Sequence, residues 1–259
     1  MPSTRRCNTS TDDRPIDRPV SETRLSKHLA ERGLCSRREA DHYIEQGLVR
    51  VNGKVVREAY YRVADGDRVE LDAAARERQS ARVTVLLNKP LGYVSAQPEK
   101  GYRSAATLVN PGNYFGEGAA PRISSRGTLA PAGRLDINST GLLVLTQDGR
   151  VARRLIGNNA NIEKEYLVRH RGAVSDTQIG RLRHGLSLDG RKLKRANVER
   201  INDSQLRFVL VEGRKRQIRR MCDLVGVEVA ALKRVRIGGV VLGNLPPGKW
   251  RLLSTGEQF

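Results

Sequence analysis

The 259-residue chain is 38% hydrophobic and 29% charged, with a formal net charge of +19. That excess of positive charge goes beyond what solubility requires and points to a polyanionic partner; no apolar run approaches the ~18 residues of a membrane span, and no long basic amphipathic helix stands out to lie on a lipid surface. Three widely spaced cysteines (Cys7, Cys35, Cys222) and four scattered histidines argue against a disulfide framework and the common zinc motifs, and predict a reducing, cytoplasmic setting.

The first residues, 1–20, are rich in Arg, Asp, Pro, Ser and Thr and lack an apolar h-region. They read as a disordered leader, not a secretory signal. From Arg24 the pattern turns helical: Leu25, His28 and Leu29 share one face, and Gly33 is placed to end the helix. Ser36-Arg-Arg-Glu39 is a capping box for a second helix running to about Gln46. In Leu48-Val-Arg-Val-Asn-Gly-Lys-Val-Val56, Asn52-Gly53 between β-branched residues signals a hairpin. Residues 21–72 thus form a compact module of two short helices and a small sheet. Arg24, Lys27, Arg37 and Arg38 lie at the helix starts, where backbone N–H groups also favour phosphate. On Arg24-Leu-Ser-Lys-His-Leu29, Gly33-Leu-Cys-Ser-Arg-Arg-Glu-Ala40, Ile44-Glu-Gln-Gly47 and Val49-Arg-Val-Asn-Gly53, the module resembles the S4 RNA-binding domain. The resemblance implies that Arg24, Lys27, Ser36, Arg37, Arg38 and Lys54 grip structured RNA by shape and phosphate.

Residues 73–82, small and charged without an apolar face, read as a linker. The second domain, 83–259, opens with a strand at Val83-Thr-Val-Leu-Leu87, stopped by Asn88-Lys-Pro-Leu-Gly92. Gln97 to Arg126 is loop-like, a length that is either functional or disordered. Arg150 to Ile156 reads as a helix capped by Asp148, and Glu163 to Arg169 as a strand centred on Tyr166. Ser175-Asp-Thr-Gln178 is a second capping box, and Asp189-Gly190 turns a hairpin. Strands over Ala196 to Arg200 and Gln205 to Val211 precede a helix from Arg214 to Val225. Strand pattern then dominates to Leu242, and Trp250 reads as core packing. Hairpin turns and irregularly placed helices predict an α+β domain on a largely antiparallel mixed sheet. There is no internal repeat and no G-x-x-x-x-G-K-[ST] phosphate loop.

Between Pro131 and Gly149, two turn clusters bracket the apolar run Leu142 to Leu145, a buried strand. Asp136 sits in the first turn, beside Arg134. An Asp before Asn-Ser-Thr-Gly is commonly just a turn former. In so basic a chain it would also stay ionised and could act as nucleophile or base. Asp136, Asn138, Thr140 and Gly141 match the opening of a calcium loop, but the twelfth position is Gln147, not the bidentate Glu such a loop needs.

Three more pieces accompany this one: Asn88-Lys-Pro-Leu-Gly92, Lys164-Glu-Tyr-Leu-Val168 and Glu212-Gly-Arg-Lys-Arg-Gln-Ile-Arg219. In this order, downstream of an S4-like module, they resemble the RNA pseudouridine synthases, nearest the ribosomal branch with an N-terminal S4 domain (the RsuA, RluB and RluF group). The resemblance covers roughly Arg24 to Ser254, and Gln97 to Arg126 is its main departure. It implies that Asp136 is the nucleophile on uridine, attacking either C6 or C1′. Tyr166 would stack on the extruded base, and Arg219 would pair with Asp136 and hold it ionised. Lys89 and Arg134 are supporting candidates. The resemblance implies no metal and no cofactor. The Arg-Gln-Ile-Arg-Arg-Met221 helix leans toward large-subunit ribosomal RNA as partner, with small-subunit RNA or tRNA as alternatives, and a monomer suffices. A non-catalytic RNA-binding assembly factor would fit the charge equally well, but would need neither Asp136 in its turn nor Tyr166 in a pocket.

Overall fold

The structure, a computed structural model, describes residues 22–95, 101–123, 128–157 and 160–259. The leader expected over residues 1–20 lies outside these, as do parts of the loop expected over 97–126. The first module runs β1 (Thr23–Arg24), α1 (Leu25–Glu31), α2 (Arg37–Glu45), β2 (Val49–Val51), β3 (Lys54–Val56), β4 (Arg62–Val63) and β5 (Val69–Leu71). Its core is Leu25 and Leu29 of α1 and Ala40, Tyr43 and Ile44 of α2, packed on Val49, Val51, Val69 and Leu71. The Ser36 box forms as the spacing predicts: its hydroxyl accepts the N–H of Glu39, and the Glu39 carboxylate accepts the N–H of Ser36. At the β2–β3 turn Asn52 and Gly53 take φ of 50° and 79°, the left-handed pair that a two-residue hairpin needs.

The expected linker is instead a helix, α3 (Ala73–Ser80). Asp72 caps it by accepting the Ala74 N–H, and Ala75 and Gln79 are buried. Alanine-rich sequence has the propensity for helix, and two buried positions are too few to register as an apolar face.

The second domain continues with β6 (Thr84–Lys89), β7 (Tyr93–Val94), β8 (Arg103–Ser104), β9 (Ala130–Pro131), β10 (Thr140–Thr146), α4 (Gly149–Ile156), β11 (Lys164–Arg171) and α5 (Asp176–Arg183). It ends with β12 (Ser187–Leu188), β13 (Arg191–Lys192), β14 (Asn197–Asn202), β15 (Gln205–Leu210), α6 (Gln217–Leu224), β16 (Glu228–Ile237), β17 (Val240–Val241) and β18 (Trp250–Leu252). One mixed sheet dominates, in the order β14-β15-β11-β16-β10-β6-β18, with β9 on β10 and β17 on β16. Every pairing in it is antiparallel except β10 with β16. The sheet is covered on both faces. Leu143 and Leu145 of β10 meet Phe208, Ile179, Leu182 and Met221 on one side. Leu142 and Val144 meet Leu155, Ile237 and Phe259 on the other. That is why Leu142 to Leu145 reads as an unbroken apolar run rather than an alternation.

Two of the boundaries that differ from the sequence reading bear on the site. β6 continues through Asn88 and Lys89, because the Asn88 N–H and side-chain amide find Lys249 and Leu245 carbonyls. α6 begins at Gln217, not Arg214, because Arg216 takes a left-handed φ of 52° and the helix can start only after it. The described part of the long loop is packed against the sheet edge. Trp250, 1% exposed, donates from Nε1 to the Asn110 carbonyl at 2.8 Å, and its ring centroid lies 5.0 Å from that of Tyr114.

Candidate active site

Asp136 lies in the turn between β9 and β10, and its neighbours are fixed on both sides. The Ser95 hydroxyl donates to the Leu135 carbonyl at 2.8 Å and accepts the Leu135 N–H at 2.9 Å. The Ile137 carbonyl accepts the Gly92 N–H at 3.1 Å, and the Asp136 carbonyl accepts the Ser139 N–H at 3.0 Å. The Asn88-Lys-Pro-Leu-Gly92 stretch therefore carries the strand end that clamps this turn.

Lys89 is fully buried behind the turn, its ammonium donating to the Pro90 and Tyr93 carbonyls at 2.8 and 2.9 Å. Burial brings it down to about 8, against the opposing pull of the Asp136 charge. Arg219, on the first turn of α6, is 8% exposed. Its protonated form is disfavoured by burial and then by Arg216, with Asp136 countering. It does not ion-pair directly with Asp136 as expected. It donates to the Asn138 carbonyl at 2.8 Å, two residues further along the same turn. Among the described residues no cation stands within ion-pair distance of the Asp136 carboxylate. The Asp136 charge favours the protonated forms of Lys89 and Arg219 through space.

The half-buried Asp136 opens onto a cleft of about 1030 Å³, lined among the described residues by seven cationic side chains and two carboxylates, Asp136 and Glu212. Tyr166 of β11 lines the same cleft and is 8% exposed. Arg134 is exposed at its rim. Lys89 and Arg219 do not line it. The arginine run after Glu212 divides its work. Arg214 donates to the carbonyls of Leu188, Arg191 and Lys192, binding the β12–β13 hairpin to the cleft wall. Arg220 takes Asp189 at the hairpin tip in a bidentate pair of 2.6 and 2.9 Å. Lys215 and Arg216 remain exposed at the cleft.

Sequence reasoning missed Arg234 of β16. It is 2% exposed, lines the cleft, and lies 5.9 Å from the Tyr166 ring. Its Nε donates to the Leu142 carbonyl at 2.7 Å and its Nη1 to the Arg134 carbonyl at 3.4 Å, while Nη2 is buried and finds no hydrogen-bond partner among the described residues. A signal was there: Arg234 falls in phase with buried Leu232 along its strand, where an apolar residue belongs. Gly141 is its counterpart on β10. With φ of 102°, a Cβ there would lie 2.2 Å from the Arg234 carbonyl oxygen, so only glycine lets the parallel pair close.

Of the expected RNA-gripping residues, Arg24, Lys27, Arg37, Arg38 and Lys54 are exposed on the first module. Ser36 is not free. Its hydroxyl caps α2, and its side chain faces Gly149 of α4. Among the described residues no group of three His, Cys, Asp or Glu side chains could hold a metal ion, and no helix is long and apolar enough to cross a membrane.

The family profile described as RNA pseudouridylate synthase matches residues 83–224, and the S4 domain profile matches residues 23–69. An uncharacterized RNA pseudouridine synthase of Aquifex aeolicus is 35% identical over 236 residues, 90% of this chain and 94% of that protein. The dual-specificity RNA pseudouridine synthase RluF of Escherichia coli K12 is 37% identical over 241 residues, 92% of this chain and 78% of the relative. A crystal structure of a pseudouridylate synthase superposes with a TM-score of 0.59 at 27% identity, covering 89% of this chain and 96% of the other.

Proposed function

The chain belongs to the RNA pseudouridylate synthase family and carries an S4 domain, and from that premise we propose that it isomerises uridine to pseudouridine in large-subunit ribosomal RNA, with Asp136 as nucleophile. One observation carries the assignment of the residue: a half-buried carboxylate in a cleft otherwise dominated by cations, with an aromatic ring in the same cleft. A polyanionic strand is drawn to such a cleft, and an extruded base finds in Tyr166 a surface on which to stack.

In this reading Asp136 attacks C1′ of the ribose or C6 of the base. The N1–C1′ bond breaks, the freed uracil turns, and C5 bonds to C1′. The bond from Asp136 to C1′ breaks in that step, or, after attack at C6, the bond from Asp136 to C6 breaks by elimination, and the carboxylate is regenerated. The C5 proton departs to solvent and N1 takes one up, so the product is an isomer of the substrate. Lys89 and Arg219 bring positive charge near the carboxylate, and Arg219 fixes the turn through the Asn138 carbonyl. Arg234 supports both partners, bonding the Arg134 carbonyl before Asp136 and lying beside Tyr166. Arg24, Lys27, Arg37, Arg38 and Lys54 supply phosphate contacts remote from the chemistry.

Tritium release tests it. Ribosomal RNA and tRNA transcripts labelled at uridine C5 are incubated with the protein, and label entering water is counted. Release from large-subunit RNA is expected for the wild type. Asp136→Asn is expected to bind the same RNA and release nothing. Release by the variant at the wild-type rate would remove Asp136 from its role. RNA binding without release from any transcript would favour the non-catalytic assembly factor.

A further inference from the structure

Glu39 stands where the first module touches the sheet domain. Its Oε2 accepts the backbone N–H of Ser36 at 2.6 Å, within its own module. Its Oε1 reaches the other domain by accepting the backbone N–H of Gly149 at 3.2 Å, and lies 2.6 Å from a guanidinium nitrogen of Arg82 in the connecting segment. The Glu39 side chain is 9% exposed, so this ion pair is shielded from salt far more than a surface pair. A second chain of contacts runs beside it. The Tyr43 hydroxyl donates to Gln79 Oε1 at 3.2 Å, and Gln79 Nε2 donates to Asp148 Oδ1 at 3.1 Å. A third contact runs from Arg153 of α4 to the Ala30 carbonyl of α1 at 2.9 Å. At the centre is Gly149, where an added Cβ would lie 2.3 Å from the Cβ of Ser36 and 2.4 Å from its Oγ.

We propose that this joint locks the first module to the sheet domain as one body, holding the RNA-gripping face and the uridine cleft at a fixed spacing. Glu39 and Gly149 are then positioning residues for substrate selection, acting through the joint rather than on the RNA. The proposal rests on the reading of the chain as an enzyme that selects a uridine within structured RNA. Domains joined by a plain linker move by default. Here α3 is itself part of the joint, and one carboxylate serves the N-termini of both α2 and α4. Two surfaces held rigidly raise each other's effective concentration on one RNA only when their spacing matches the two contact points. Such a joint rejects RNAs that present a uridine at the wrong distance from the module's grip.

The test is a wedge and its relief. Gly149→Ala puts a methyl group where Ser36 stands, at a helix position that alanine otherwise suits. The double variant Gly149→Ala/Ser36→Gly removes the opposing atoms, and glycine replaces serine at an N-cap with little loss. Spin labels on Glu58→Cys and Val241→Cys, one exposed position in each domain, report the interdomain distance by pulsed dipolar spectroscopy. Cys7→Ser is added, since Cys35 and Cys222 are buried. The wild type should give a narrow distance distribution, the wedge a broad one, and the double variant a narrow one again. On an RNA long enough to meet both domains, the wedge should raise KM about tenfold with kcat held within about twofold, and the double variant should restore KM. On a minimal stem-loop that reaches only the cleft, all three should agree. A broadened distance with unchanged KM on the long RNA would overturn the proposal. So would a wedge variant that stays narrow, or a double variant that fails to recover. Should the wild type release no tritium from any RNA, the isomerase reading falls on its own. The joint is then still judged by the distance distributions and by binding to long against short RNA.

Discussion

Lys89 couples the pH behaviour of the fold to that of the site. Burial brings its ammonium down to about 8, against 10.5 for the free side chain. Below pH 8 both the folded and the unfolded chain hold the proton, and the full cost of the buried cation, on the order of 3 kcal/mol, weighs against the fold. Between about 8 and 10.5 the unfolded chain binds more protons than the folded one, so this residue's contribution to stability rises with pH. Urea unfolding of the wild type at pH 7.5 and 9.5, set against Lys89→Met, should show that gain in the wild type alone. Activity should run the other way. Losing the ammonium removes a positive charge from behind Asp136, so kcat/KM should fall above about pH 8. Lys89→Met should lower kcat/KM at pH 7 and lose that alkaline limb; an unchanged limb would separate Lys89 from the chemistry. How much of the site the sequence discloses differs residue by residue. Asp136, Tyr166 and Arg219 stand in short motifs whose order along the chain is itself informative. Arg234 stands in no such motif, and it reaches the cleft only because β16 is inserted between β10 and β11.

Among the elements, the β10–β16 pair is the tightest constraint. Its backbones approach so closely at Gly141 that any side chain there meets the Arg234 backbone, and the positive φ adds strain. Gly141→Ala should cost about 3 kcal/mol or more and lower Tm by roughly 6–12 °C for a chain of this size. Calorimetry measures it, and a Tm within about 2 °C of wild type would mean that the pair can separate at no cost. Both capping boxes, at Ser36 and Ser175, form where their spacing puts them, because a cap is a local bargain between neighbours. Helix α3 and the late start of α6 were not legible. Ala75 of α3 is buried in the first module's core while Gln79 bonds across to Asp148, and α6 is delayed by the left-handed turn at Arg216. For α3 the cap and propensity are local while the burial of Ala75 and Gln79 is tertiary; for α6 the start is set by the backbone at Arg216.

Over the whole molecule the +19 charge is unevenly engaged. Arg207 and Arg236 both reach Glu165, and Arg251 takes Glu257 in a bidentate pair. Arg24, Lys27, Arg37, Arg38, Lys54, Lys215 and Arg216 are exposed to solvent, on the module or at the cleft. Affinity for RNA should therefore fall steeply with salt, by roughly a thousandfold between 50 and 200 mM if six or more phosphates are contacted. Fluorescence anisotropy across that range checks it, and an affinity flat with salt would contradict a phosphate grip. The aromatic content of 4% points the same way, since few stacking platforms are available to take over from charge.

The order of strands in the sheet has a consequence for the newborn protein. β16, the strand between β10 and β11, is supplied by residues 228–237, and β18 closes the sheet beside β6 with residues 250–252. On the ribosome the first module, whose core draws on residues 25–75, emerges early and can fold from local contacts. The turn bearing Asp136 emerges long before Arg219 and Arg234, which fasten it. Long-range pairing of this kind is slow and late. A nascent chain thus acquires its hold on RNA well before it acquires its chemistry. Translation arrested before β16 should yield a polypeptide that binds RNA and modifies nothing, so catalytic competence is conferred only as about the last eighth of the chain, from residue 228, is made.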